Sequence, residues 1–374
     1  DLVLVGGGHS HLFVLKHFAM NPQPGLRITL VTRDLHTPYS GMLPGFVAGH
    51  YDYDAAHIDL LPLARFAGAR VIHAEVTAIN AESKQITIAG RPSLDYDLLS
   101  INTGSRPTSP LLEDQQDDQF AVKPVDRFID SWQRLEQRLV DDDKDLRLAV
   151  IGGGAGGIEL ALSLQYRAAQ LARRKARLQL LILTDRDHLL PGHNKRVRQM
   201  FADILQQRSV PVFYQHRVTG FGNGFLQGDF ETPVAADMAI WVTHASPADW
   251  LAASELALDT NGFIAVSPCL QSVSHDDVFA VGDVAAVADY PRPKSGVFAV
   301  RQGLPLARNL ILRYQQRDLR PFRPQAQFLS LISTGDRFAV ASRGPWALQG
   351  KWCWWLKDRI DRKFIRRFSE LPEM

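Results

Sequence analysis

The chain has 374 residues, 45% of them hydrophobic and 22% charged, with a formal net charge of +2. That is enough for two or three packed domains; no apolar run is long enough to span a bilayer, and the near-neutral balance argues against a nucleic-acid binder. The two cysteines, Cys269 and Cys353, lie far apart and form no Cys-x-x-Cys pair, which leaves no zinc or dithiol motif and points to a reduced, cytoplasmic setting.

In chain order, Leu2 to Val5 is a short apolar strand cut off by Gly6-Gly7-Gly8. Residues 10–20 carry apolar side chains at helical spacing, a Pro/Gly break follows at 21–25, and 27–31 is a second strand. This is a βαβ unit with glycines at its first turn. A pyrophosphate needs glycine there, because the backbone must turn tightly and approach the ligand, while the helix N-terminus offers free N–H groups and the positive end of its dipole. The pattern Gly-x-Gly-x-x-Gly is met by Gly6 and Gly8, but His11 holds the third place. His9 and His11 flank the turn without a carboxylate or cysteine at ligand spacing, so no metal is expected.

Residues 37–45 form a loop with no helical period, 70–80 and 85–89 alternate like paired strands, and 96–101 is a buried strand running into Asn102-Thr103-Gly104-Ser105. A helix over 126–140 leads into an acidic linker at 141–145. The glycine turn then recurs, complete, as Gly152, Gly154 and Gly157, between a strand at 148–151 and a helix carrying Glu159, Leu160 and Leu164; 178–183 is its second strand. Two such turns suit a chain that holds two different dinucleotides; the alternative is one binding turn and one packing turn.

Further strands are expected at 239–245, at 278–283 (ending on Gly282-Asp283), at 327–332 and at 338–342, with helices at 297–316 and at the C-terminal end. In the last helix Trp352, Trp355, Leu356, Ile360, Phe364 and Phe368 recur at helical spacing, so they are expected on one face. Residues 351–367 hold seven basic and two acidic side chains. Such a helix either lies in a membrane interface, giving a peripheral contact through 350–368 on the inner face, or docks as a lid.

The ordered set Gly6-Gly7-Gly8, residues 95–107 (DYDLLSINTGSRP), residues 152–159 (GGGAGGIE) and residues 278–283 (VFAVGD) resembles the two-dinucleotide-binding flavoproteins: pyridine nucleotide-disulfide reductases, type II NADH dehydrogenases and sulfide:quinone oxidoreductases. Residues 6–11, 37–45 and 329–344 further resemble a branch found alone or fused in front of selenide, water dikinase. The resemblance implies an α/β fold with two Rossmann-like, glutathione-reductase-like domains. The FAD domain would comprise 1–105 and 272–316, the NAD(P)H domain 106–271, and 317–374 a small C-terminal region.

By the same resemblance FAD would be held by Gly6, Gly8, His9, Ser10, Thr32, Arg33, Ser40, Gly41, Val76, Thr103, Gly104, Gly282, Asp283, Gly296, Val297 and Phe298. NAD(P)H would be held by Gly152, Gly154, Ala155, Gly156, Gly157, Thr184 and Asp185. Glu159 would face the nicotinamide, or serve only the helix dipole; Lys294, in a Pro293-Lys294-Ser295-Gly296 turn, would stand by the flavin ring, or be a plain loop lysine. Thr32 and Thr184 replace the family's ribose-binding acid, with Arg33, Asp34, Asp185 and Arg186 beside them. NADH and NADPH are therefore not separated, although Asp185 favours NADH.

Tyr39-Ser40-Gly41 stands where disulfide reductases carry their redox cysteines, Gly296-Val297 and Arg301 replace a quinone-associated Ala-Gln pattern, and His244 replaces a glycine of the nicotinamide pocket. The expectation is an FAD-dependent oxidoreductase without a redox-active disulfide. It would take hydride from NADH or NADPH and pass electrons to a small acceptor, either a quinone or a selenium or sulfur species. The alternative is a flavin-binding accessory module of a selenide, water dikinase-type system.

Overall fold

The structure is a computed structural model and describes residues 1–107, 118–123, 125–141, 145–171, 178–243, 245–290, 294–325 and 327–372. The opening unit contains β1 (Leu2–Val5), α1 (His9–Met20), β2 (Ile28–Thr32), β3 (Arg70–His73) and β4 (Leu98–Ile101). Next come β5 (Gln119–Ala121), α2 (Val125–Asp141), β6 (Leu146–Ile151), α3 (Ala155–Leu171), β7 (Leu178–Leu183), α4 (Lys195–Gln207), β8 (Val212–Phe213) and β9 (Met238–Trp241). The chain then returns through β10 (Val278–Ala280) and α5 (Gly296–Tyr314). It finishes with β11 (Ser330–Ser333), β12 (Ala339–Arg343), β13 (Trp346–Gly350) and α6 (Lys351–Ser369).

Two five-stranded parallel sheets result. The first runs β10-β4-β1-β2-β3 and the second β5-β9-β6-β7-β8. Their central strands are buried along most of their length, as in Leu2–Val5 and Leu98–Ile101, because helices cover one face of each sheet and a small antiparallel layer of strands packs on the other. In each sheet the chain steps outward in one direction from the strand before the glycines, β1 or β6, and later returns to that strand's other side as β4 or β9. The switch point of each sheet therefore lies beside a glycine turn, which is where open α/β sheets bind ligands.

Three local differences from the sequence reading have physical causes. The run 70–80 splits: β3 joins the first sheet, whereas Val76–Asn80 pairs antiparallel with Gln85–Ile88 in a separate small sheet. The break falls at Ala74, whose N–H donates to the Thr32 carbonyl at 3.0 Å. β13 was not anticipated, because Trp346 and Leu348 point outward at 72% and 51% exposure and blur the apolar alternation. The last helix does not present one apolar face: Phe368 is buried and Phe364 partly so, but Trp352, Trp355 and Ile360 are exposed. The arc that meets the protein is Cys353, Lys357, Asp361, Ile365 and Phe368.

α1 and α5 cross closely because Gly303 has no side chain; a Cβ there would press on the Phe13 ring. Ser10 donates to the Ala299 carbonyl at 2.6 Å across the same crossing. The first turns of both helices are thereby fixed against each other.

Candidate functional site

Gly6 has φ +90°, a left-handed conformation that favours glycine, and it packs on the Asn102 backbone at the end of β4. A Cβ on Gly8 would fall on the Asn102 side-chain oxygen. Asn102 also donates to the Val281 carbonyl at 3.2 Å, so one buried amide joins the ends of β1, β4 and β10. The sequence reading quoted Asn102 without giving it a role. Its position immediately after the strand that flanks the turn is the signal that marks it.

His11 lies fully buried, one nitrogen 2.6 Å from the Gly6 carbonyl and the other 2.8 Å from Ser100 Oγ. Burial pushes its pKa down to about 4. The imidazole thus closes the turn from within, where a glycine would let helix and strand backbones touch.

The second turn follows the fingerprint position by position. Gly152, φ +133°, packs on the Val242 carbonyl at the end of β9. Gly154 has nothing within 4 Å of where a Cβ would be, so its face is open to a ligand. Gly157 is the packing glycine: a Cβ there would collide with the Gly152 carbonyl oxygen. Gly156 is exposed and Ala155 begins α3. Thr184 is buried at the end of β7 and accepts from the Arg186 N–H at 3.3 Å, and Asp185 pairs with Arg186 at 3.7 Å near the surface. His244 and Pro293 lie outside the described residues.

Around the first turn, His9, Ser40 and Gly296 meet: a Cβ on Gly296 would lie 2.7 Å from Ser40 Oγ and 3.9 Å from the His9 ring. His9 Nε2 and Ser295 Oγ are both buried without a hydrogen-bond partner. Burial pushes His9 down to about 4, against the opposing pull of Asp283. Two orphaned polar atoms beside a glycine cradle and the N-terminus of α5 are what a bound polar cofactor would satisfy. Asp283 accepts from Lys123 at 2.5 Å and from Ser105 at 3.2 Å. Thr103 and Gly104 connect Asn102 to Ser105 and bring that strand end to the same place.

At the ends of β2 and β3 a cavity of about 300 Å³ is lined by Arg33, Asp34, His36, Tyr53, His57 and His73. Thr32 bonds the Asp34 carbonyl at 2.9 Å beside it. The Val76 side chain packs in a hydrophobic core with Val3 and Val31.

The two residues expected to carry chemistry are not brought together. Lys294 lies over the Phe263 ring at 3.7 Å and donates to the Ala285 carbonyl, in a cavity of about 310 Å³ whose wall includes Asp283 and Phe298; Val297 is exposed. Burial lowers the Lys294 ammonium to about 8, against Asp283 and Asp259. Glu159 faces the C-terminal region instead: it accepts the Ser333 N–H at 2.7 Å, with Lys357 and Asp361 close by. Burial raises Glu159 to about 7, although Lys357 and the Ser333 N–H pull the other way. Among the described residues no group of three or more His, Cys, Asp or Glu is placed to hold a metal.

Parallel sheets with a glycine turn at each switch point define an α/β protein of the nucleotide-cofactor-binding kind. The profile of the pyridine nucleotide-disulphide oxidoreductases matches residues 1–303, and the chain belongs to that family. It is 23% identical over 339 residues to the NADH dehydrogenase-like protein YutJ of Bacillus subtilis, covering 89% of each chain. It is 22% identical to a type II NADH:quinone oxidoreductase of Staphylococcus haemolyticus over 76% of this chain and 74% of that one. Among solved structures it resembles the sulfide:quinone oxidoreductase of Aquifex aeolicus (TM-score 0.81, 18% identity, 100% and 92% of the two chains). It also resembles NDH2 of Plasmodium falciparum in complex with NADH (TM-score 0.79, 14% identity, 98% of each chain).

Proposed function

We propose that this protein is an NAD(P)H-dependent flavoprotein oxidoreductase that passes electrons to a small quinone. The observation that carries the reading is the first turn's cradle, with unpartnered His9 Nε2 and Ser295 Oγ, coexisting with the open face of Gly154 at the second turn. FAD, when bound at the first turn, supplies the hydride-accepting and electron-donating chemistry. The residues given above would hold it, with Asp283 on its sugar oxygens. Gly154 and the N-terminus of α3 would hold the pyrophosphate of the nicotinamide cofactor, with Asp185 favouring NADH. The FAD-binding unit would be 1–105 with 272–316 and the nicotinamide-binding unit 106–271.

Quinone as acceptor is supported by the relatives named NADH:quinone oxidoreductase, and by Tyr39-Ser40-Gly41 in place of a cysteine pair. Cys269 and Cys353 are free thiols, and we propose that they take no part. Glu159 is suited to hold a proton near neutral pH for the reduced acceptor. Neither a selenium or sulfur acceptor nor an accessory role beside selenide, water dikinase gains anything from the site geometry; both rest on motif resemblance. Anaerobic mixing of the yellow protein with NADH tests the reading: the flavin absorbance bleaches, and a quinone restores it. Absorbance that persists under NADH but bleaches under dithionite would overturn it. Asp283→Ala is expected to yield colourless protein.

A further inference from the structure

α6 packs against the residues just beyond the first glycine turn and brings Lys357 near Glu159 beyond the second. His9, the first residue of α1, meets Tyr39 and Phe364 edge-on at 5.5 and 5.9 Å, and Tyr39 stacks on Phe364 at 4.2 Å. One turn back along α6, Asp361 hydrogen-bonds Tyr39 and accepts from Lys357 at 2.7 Å. Lys357 also donates to the Gly41 carbonyl and faces Glu159 near the start of α3. Lys357 and Asp361 thus form an enclosed ion pair, their side chains 12% and 7% exposed, and Glu159 lies close enough to feel the ammonium's charge. The other charges nearby are spoken for: Asp358 accepts from Arg362 at 2.9 Å and Tyr51 at 2.8 Å, and His50 bonds the Gly335 carbonyl at 2.7 Å with Arg337 beside it.

Enclosing an ion pair is a poor route to stability, since apolar side chains of the same size serve as well or better. The other basic residues of α6 reach solvent, so solubility does not require a lysine here. We propose that Lys357 is a positioning residue of the site: its ammonium ties α6 to the Gly41 loop and is the counter-charge against which Glu159 ionises. This rests on the reading above and deepens it, by assigning the C-terminal helix to the electrostatics of the reacting end. Burial works against the lysine's charge, but Asp361 and Glu159 outweigh it and hold the ammonium above its usual range.

The test reads the flavin-loaded protein without NADH or acceptor, so a chain that never turns over still answers. Infrared spectroscopy follows the carbonyl band of the protonated carboxyl with pH, assigned by its loss in Glu159→Gln. Lys357→Met is expected to move the midpoint up by at least about one pH unit, the low end of what a nearby opposite charge supplies. It should also open α6 to trypsin, and Lys357→Arg should restore both readouts. Asp361→Asn, which keeps the shape and leaves the ammonium to Glu159 alone, should move the midpoint down. A midpoint and protease pattern unchanged in Lys357→Met, or an Asp361→Asn midpoint that does not fall, would overturn the proposal.

Discussion

At the third fingerprint position, His11 fills with an imidazole the space that Gly157 leaves to backbone in the second turn. The substitution makes the first turn sensitive to acid. The folded His11 pKa, about 4, lies below the ordinary 6.5, so its contribution is complete above 6.5 and is lost as the pH falls through 4. The loss is on the order of 3 kcal/mol for a shift of this size, and His9 adds to it in the same direction. Glu159 has the opposite sign. Its pKa is raised from the ordinary 4.5 to about 7, so its contribution is complete below 4.5 and is lost as the pH rises through 7. Calorimetric melting temperatures across this range should show a flatter acid limb in His11→Gln and a flatter neutral limb in Glu159→Gln. Identical profiles for wild type and variants would contradict the assignment. The His11 departure was legible in the sequence; its hydrogen bonds to Gly6 and Ser100 were not, because they depend on how β4 lies beside β1.

The glycine turns are elements whose sequence nearly dictates their geometry, and they were read correctly as strand, turn and helix. What the pattern does not separate is the job of each glycine. Gly154→Val and Gly157→Val look equivalent on paper, both filling a pyrophosphate's space. The structure distinguishes them: Gly154 opens outward, whereas Gly157 presses on the Gly152 carbonyl. Gly154→Val is therefore expected to fold normally, keep its flavin and lose reduction by NADH, with dithionite reduction intact in a stopped-flow trace. Gly157→Val is expected to lower the melting temperature or prevent soluble expression. α6 shows the limit of periodicity in another way. Helical spacing says which side chains are neighbours but not which arc meets the protein, and the aromatic residues of α6 fall on both arcs.

Across the whole molecule, the outward arc of α6 and the adjoining hairpin expose Trp346, Leu348, Trp352, Trp355 and Ile360 among basic side chains. No helix among the described residues is long and apolar enough to cross a membrane. Tryptophans with lysine and arginine on an amphipathic helix suit the interface of an anionic bilayer, at about 1 kcal/mol per basic residue near the surface. The docked arc and the arc suited to a membrane interface, set against each other when only the sequence is read, lie on opposite sides of one helix. The expected outcome is flotation with anionic liposomes at low salt, weakened by high salt and by Trp352→Ser with Trp355→Ser. Flotation unaffected by those substitutions would place the contact elsewhere. The long-range approach of Lys357 to Glu159 escaped the sequence for a related reason: nothing local to either residue marks the other.

The Lys123–Asp283 pair carries a thermodynamic consequence. Lys123 follows β5 of the second sheet and Asp283 follows β10 of the first. Were a ligand at either turn to shift one sheet against the other, that bond would be strengthened or weakened and the two occupancies would be coupled. Linkage then makes the coupling symmetrical: whatever factor the nicotinamide cofactor applies to the flavin's dissociation constant, the flavin applies to the cofactor's.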